Sequence, residues 1–142
     1  GIAVSQEDVR YTDPADAVEF VKQTGIDALA VAIGTNHGQY KSKTNINFER
    51  LKELQEVVDI PLVIHGGTGV KEEDVKRVID LGIRKFNVGT ELLVGWNRKS
   101  KECYDEHREN ISNRDNVVPC LDTITEIVER TIHLFKNIED GR

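Results

Sequence analysis

Cysteine is scarce in this chain. Cys103 and Cys120 are the two among 142 residues. They lie too far apart in sequence for a metal-binding spacing and are too few for a disulfide framework, which points to a reducing, cytoplasmic setting. Long apolar runs are missing too. No stretch approaches the roughly 18 consecutive apolar residues of a membrane span, so no membrane partner is expected. The opening GIAVSQEDVR has neither the basic start nor the long apolar centre of a signal peptide. Net basic charge is also absent: 19 Lys+Arg against 25 Asp+Glu leave a formal charge of -6. That balance disfavours nucleic acid as a partner, because phosphate backbones attract net basic surfaces. There is no low-complexity segment and no charge block long enough to be a tail. The length itself excludes one architecture. It suffices for one compact domain with its own core, but a complete (β/α)8 barrel needs about 250 residues.

What is present is ordinary globular composition, 38% hydrophobic and 31% charged, organised as repeated strand–helix units. Residues 1–11 look irregular. Thr12-Asp13-Pro14 signals a helix start, with a capping side chain and then a proline near the first helical position. A helix over 15–24 follows, with Ala17, Val18, Phe20 and Val21 largely on one side, and Gly25 stops it. The run 27–34 (DALAVAIG) is continuously apolar, which suits a parallel strand buried on both faces. Residues 35–47 form a polar loop. Asn47 can cap a helix carrying Phe48, Leu51 and Leu54 at helical spacing. Pro61 opens a second strand over 62–65, and Gly66-Gly67-Thr68-Gly69 leads to a helix over about 71–81, with Glu72, Glu73 and Asp74 where the helix dipole favours acids. A third strand is expected over 85–89, then a longer helix from Thr90 to about His107. A polar connection is expected over 110–118, and a last amphipathic helix carries Leu121, Ile124, Ile127, Val128, Leu134 and Phe135.

Strands alternating with helices predict a parallel sheet with helices outside it. Three strands make a poor isolated sheet, because both edges stay open. The pattern by itself therefore leaves two architectures: a small open α/β domain, or the later part of a barrel.

In parallel α/β folds the functional residues gather at the carboxyl ends of strands. Here those ends read Gly34-Thr35-Asn36-His37-Gly38, His65-Gly66-Gly67-Thr68-Gly69 and Asn87-Val88-Gly89-Thr90. His37 and His65 occupy matching places in consecutive units. Imidazole is the commonest zinc ligand, and a catalytic Zn²⁺ takes three protein ligands and an open position. The competing reading is that each histidine only hydrogen-bonds its loop. His107 and His133 are poor third ligands, since both fall in helices. The glycine turn after the second strand has the physics of a phosphate cradle: close-approaching N–H groups, a helix N-terminus and a threonine hydroxyl. Lys41 is either a point charge for the same phosphate or a solvated loop lysine beside Lys43.

Taken together, YTDP, DALAVAIGTNHGQYK, FERLKELQEVVDIPLVIHGGTGV and LGIRKFNVGTEL resemble the class II, metal-dependent ketose-bisphosphate aldolases. These cleave fructose-1,6-bisphosphate or tagatose-1,6-bisphosphate. The resemblance runs from about Gln6 to Leu92 and continues more loosely through the last helices. H-G-x-Y-K, H-G-G-[ST]-G and N-V-x-T in this order are far more specific than any one of them.

The resemblance implies an α/β fold that is the C-terminal part of a TIM (β/α)8 barrel, strands six to eight and the following helices, with residues 1–142 a portion of one domain whose N-terminal half is absent. It implies that His37 and His65 are two of three zinc-binding histidines. Gly38 then binds substrate through its backbone, Lys41 contacts phosphate, Gly66, Gly67 and Thr68 hold the dihydroxyacetone-phosphate portion, and Asn87, Val88, Gly89 and Thr90 contact substrate hydroxyls and phosphate. In some members backbone carbonyls near these loops bind a monovalent cation. The implied reaction is reversible aldol cleavage to dihydroxyacetone phosphate and glyceraldehyde 3-phosphate, with zinc polarising the ketone and stabilising the enediolate. The family's acid/base aspartate and first zinc histidine belong to the barrel's first half, so no catalytic residue is assigned here and the isolated chain is expected to be incomplete. Members are dimers or tetramers, which implies a homo-oligomer for the full-length form. Two departures stand out: Thr68 replaces the more usual Ser, and Gly89 replaces the more usual Ala or Asp. A non-catalytic phosphate- or metal-binding piece and a metal-free phosphate-binding barrel enzyme are the alternatives.

Overall fold

The computed structural model describes residues 10–35, 45–67, 70–109 and 112–139. The irregular start over 1–9, the stretch with His37, Gly38 and Lys41, Thr68 with Gly69, and residues 110–111 of the expected connection lie outside the described residues. The chain divides into two compact units, Gly1–Val88 and Gly89–Arg142.

The first unit alternates helix and strand as its pattern demands. Helix α1 spans Pro14–Thr24. The Asp13 side chain accepts from the Ala15 N–H at 2.8 Å and the Asp16 N–H at 3.3 Å, satisfying two of the donors that a helix start leaves unpaired. Pro14 follows where no N–H is needed. Gly25 ends the helix in the left-handed conformation, its N–H donating to the Val21 carbonyl at 2.9 Å. Strand β1 (Leu29–Val31), helix α2 (Phe48–Val57), strand β2 (Leu62–Ile64), helix α3 (Glu72–Asp80) and strand β3 (Ile83–Phe86) follow. The Asn47 side chain caps α2 by accepting from the Arg50 N–H at 2.9 Å. Arg77 of α3 lies over the Phe48 ring of α2, 3.7 Å from its centroid, the geometry of a cation–π contact.

The strands form one parallel sheet in the order β1-β2-β3. Leu29, Val31, Ile33, Leu62, Ile64 and Ile83 pack against Ala17, Leu51, Leu54, Val58 and Val78 of the helical segments. Leu51 and Leu54 are fully buried, and truncating such a leucine to alanine costs roughly 2–5 kcal/mol. In the first strand the structure departs from the expectation of burial on both faces. Leu29, Val31 and Ile33 are buried, whereas Ala28, Ala30 and Ala32 are exposed. The reason is alternation: side chains along a strand point to opposite faces, and only one face of β1 meets the helical core, whereas in β2 Val63 is buried on the opposite face from Leu62 and Ile64. The free edge of β1 is partly paired by Thr12, whose N–H donates to the Ala32 carbonyl at 2.9 Å while its hydroxyl accepts from the Ala32 N–H at 2.8 Å.

Two further boundaries differ from the sequence reading. The third strand lies at Ile83–Phe86, not 85–89, so Asn87 to Gly89 sit just past the strand, in the position of a functional loop. Residues 113–118 of the expected polar connection are helical.

In the second unit, helix α4 spans Thr90–Glu106 and helix α5 spans Asn113–Glu139. Glu91 pairs with Arg130, Gly95 faces Ile127, and the Cys103 and Cys120 thiols interact. Descending α4 thus ascends α5, so the helices run antiparallel. Pro119 lies inside α5. Proline there removes a helical hydrogen bond and ordinarily costs about 3 kcal/mol. Burial of the neighbouring Cys120 against α4 offsets part of that cost, whereas Asn116 adds to it, because its buried side-chain oxygen has no hydrogen-bond partner among the described residues. No helix among the described residues is long and apolar enough to cross a membrane.

Candidate functional site

The carboxyl ends of β2 and β3 carry His65 and Asn87, and the strand register decides how they face. Leu62 pairs with Ile83, but Val63 pairs with Lys85 and Ile64 with Phe86. Arg84 is therefore an extra residue, a bulge of the kind that re-aims side chains. Continuing this register sets Asn87 beside His65; without the bulge it would fall beside Gly66. The Asn87 N–H donates to the Ile64 carbonyl at 3.0 Å, and the Asn87 carbonyl accepts from the Gly67 N–H at 3.3 Å. Gly66, between those two partners, is buried and has φ 69°. That left-handed conformation is one an L side chain resists. It turns the chain so that Gly67, not Gly66, continues the pairing.

The two side chains then meet. Asn87 Nδ2 donates to His65 Nδ1 at 3.2 Å. Lys85 lies two residues before Asn87 and so on the same face. Its Nζ donates to Asn87 Oδ1. Lys85 was not among the residues expected at the site. The period-two alternation of K-F-N is the signal that places it there.

The remaining expected residues fall as follows. Thr35, four residues past the end of β1, has a buried hydroxyl with no hydrogen-bond partner among the described residues. The Asn47 N–H donates to the Ile33 carbonyl at 2.8 Å, which draws the chain at Ile33 and Asn47 together. His37, Gly38, Lys41 and Thr68 lie outside the described residues, so no distance joins His37 to His65. Val88 closes the first unit. Gly89 and Thr90 open the second: Gly89 precedes α4 and accepts from the Leu93 N–H at 3.1 Å, and Thr90 is its first residue. Lys71, at the start of α3, is held by Glu73 at 3.0 Å. That carboxylate raises the Lys71 pKa above the ordinary lysine value. His107 ends α4, and His133 is an exposed residue of α5.

His65 suits a zinc ion by chemistry, being an imidazole at an exposed strand end. Its Nδ1 lies against the Asn87 amide. Among the described residues no three His, Cys, Asp or Glu side chains are grouped closely enough to hold a metal ion.

With this geometry in hand, similarity to known proteins fixes the lineage. The family described as "Fructose-bisphosphate aldolase class-II" matches residues 1–140. The chain belongs to the class II fructose-bisphosphate aldolase family. Among solved structures, the YdjI aldolase from Escherichia coli K12 is similar, with 38% sequence identity and a TM-score of 0.74 over 88% of this chain and 46% of that one. A fructose-bisphosphate aldolase from Campylobacter jejuni shares the fold at 22% identity, with a TM-score of 0.62 over 91% of this chain and 45% of that one. The class II aldolase chain described here thus spans less than half the length of either structure. Its parallel strands and helices are part of a (β/α)8 barrel, the fold of class II aldolases.

Proposed function

We propose that this chain carries the zinc- and phosphate-holding loops of a ketose-1,6-bisphosphate aldolase. In this reading His37 and His65 supply two of three zinc ligands. Gly38 binds substrate through its backbone, Lys41 contacts phosphate, Gly66, Gly67 and Thr68 hold the dihydroxyacetone-phosphate portion, and Asn87, Val88, Gly89 and Thr90 contact substrate hydroxyls and phosphate. Membership of the class II family supports the reaction class. The observation that carries the site is the approach of His65 and Asn87 at 3.2 Å. Two residues 22 apart in sequence, one just past each strand's carboxyl end, come together, which supports the reading that both serve one site.

Zinc, when bound, supplies Lewis-acid polarisation of the ketone. The chain's own residues do the rest. Glycine N–H groups and a lysine ammonium seat the phosphate, and that remote binding energy fixes the reacting carbons in place. Asn87, held by its main chain to both Ile64 and Gly67, presents an amide to the substrate's oxygens. Residues 1–142 form a portion of one barrel domain in this reading. The acid/base aspartate and the third histidine come from a first-half segment of the barrel.

The experiment is complementation. The chain is combined with a first-half barrel segment supplying those two residues, and release of dihydroxyacetone phosphate from fructose- and tagatose-1,6-bisphosphate is followed in a coupled assay. Turnover is expected only in the combined form. A chelator should abolish it and Zn²⁺ should restore it. His65→Ala and Asn87→Ala should each lower kcat by roughly 10²-fold or more. Turnover that ignores the chelator, or full turnover by the chain alone, would defeat the proposal.

A further inference from the structure

The contacts around Asn87 form a chain of donors and acceptors that admits one assignment. A lysine ammonium has donors and no acceptor, so the Asn87 atom facing Lys85 is the carbonyl oxygen. The other end of the amide is then the NH2 group, which only donates. His65 Nδ1, 3.2 Å away, must therefore accept. A neutral imidazole has one acceptor nitrogen and one N–H, so the His65 proton sits on Nε2. In this arrangement neither ring nitrogen offers a lone pair to a metal: Nδ1 is occupied by Asn87, and Nε2 is protonated.

We infer that Lys85 is a positioning residue that, through the Asn87 amide, clamps His65 in its Nε2-protonated form, so that a divalent metal must open the Lys85–Asn87–His65 chain to take the ring. If the metal binds Nδ1, the Asn87 N–H is displaced. If it binds Nε2, the proton moves to Nδ1 and the amide must turn its oxygen to that ring N–H, away from Lys85. Both routes break a contact that Lys85 supports, so the clamp opposes metal loading whichever nitrogen is used. The bulge at Arg84 is what makes the clamp possible, because it sets Lys85 and Asn87 on the face shared with His65. The tautomer assignment stands on geometry alone. Its consequence for metal rests on the proposed role of His65 as a ligand.

The test uses the full metal-free chain with ¹⁵N-labelled histidine in alkaline buffer. In the wild type, the His65 signals should report an unprotonated, hydrogen-bonded Nδ1 and a protonated Nε2. Lys85→Met should shift them toward a mixture of the two tautomers, and Lys85→Arg, which keeps a donor-only cation, should restore the wild-type pattern. A wild-type ring protonated on Nδ1, or identical ring signals in wild type and Lys85→Met, would overturn the clamp. A zinc titration against a chromophoric chelator is the second readout. Lys85→Met should bind zinc about fivefold more tightly than wild type, the worth of one ordinary hydrogen bond. His65→Ala separates the two ideas. If it leaves zinc binding unchanged, the ligand role of His65 fails while the ring signals still decide the clamp. If it weakens zinc binding but Lys85→Met does not strengthen it, the ligand role stands and the clamp's opposition to metal is refuted.

Discussion

Asn87 and His65 sit side by side because the strands that carry them are out of simple step. The Asn87 Nδ2–H reaches His65 Nδ1 at 3.2 Å only because Arg84 is an extra residue in β3 and Gly66 turns the chain after β2. Neither feature lies in the meeting residues themselves. The meeting of these two side chains is thus built by two backbone irregularities on adjacent strands.

The first prediction concerns Gly66. At φ 69° an alanine would carry the left-handed penalty of roughly 1–2 kcal/mol. Gly66→Ala should lower unfolding stability by about that amount in urea, with an unchanged denaturant slope. It should also loosen the Gly67 N–H bond to the Asn87 carbonyl, seen as faster amide exchange at Gly67. Wild-type stability and wild-type exchange together would show that the turn does not depend on glycine.

The second concerns the packing of α4 on α5. A Cβ at Gly95 would stand 2.5 Å from Ile127 Cδ1, so Gly95→Ala forces that methyl to move. Helix propensity alone favours alanine by about 1 kcal/mol, whereas overpacking costs roughly 1–3 kcal/mol. The single variant should therefore be neutral to destabilising. Ile127→Val deletes the clashing methyl and should cost about 0.5–1.5 kcal/mol alone. The double variant should be more stable than the two single effects add up to, by at least about 0.5 kcal/mol. Strict additivity in urea unfolding would mean the two positions do not touch.

The third concerns the thiols. Cys103 and Cys120 are both buried, and Cys120 Sγ donates to the Asn116 carbonyl at 3.2 Å. Burial pushes the Cys120 pKa up, and the neighbouring Cys103 adds to the shift. A pKa raised on folding means that the folded state holds its proton more tightly than the unfolded state. The stabilisation is fully present below the ordinary thiol pKa and is lost as pH rises from there through the raised folded value. The chain should lose stability in that alkaline window, and Cys120→Ala should remove part of the loss. Neither thiol should alkylate in the native chain near neutral pH, and both should do so after unfolding. Rapid native labelling of Cys120 would contradict its burial against α4.

Local chemistry made much of the fold legible. Asp13, Pro14 and Gly25 mark both ends of α1 because capping needs only a side-chain oxygen, a missing N–H and a residue free of Cβ, all within a few positions. Asn47 marks α2 in the same way. The helix over 113–118 is hidden in the sequence because that stretch is polar and reads as a connection. Burial of Cys120 and Ile127 against α4 outweighs that local preference, and burial is a property of the packed pair of helices.

The sequence by itself determined the alternation of strands and helices, the helix ends, and the motifs that place the chain in its family, since each is written in neighbouring residues. Tertiary structure alone decided that β1 buries one face, that α5 begins before its proline, and that Lys85, Asn87 and His65 form one chain of hydrogen bonds. Register and burial are relations between segments distant in sequence. A single extra residue in a strand reverses which side chains face one another, and nothing within Arg84 itself announces that it is the one left unpaired.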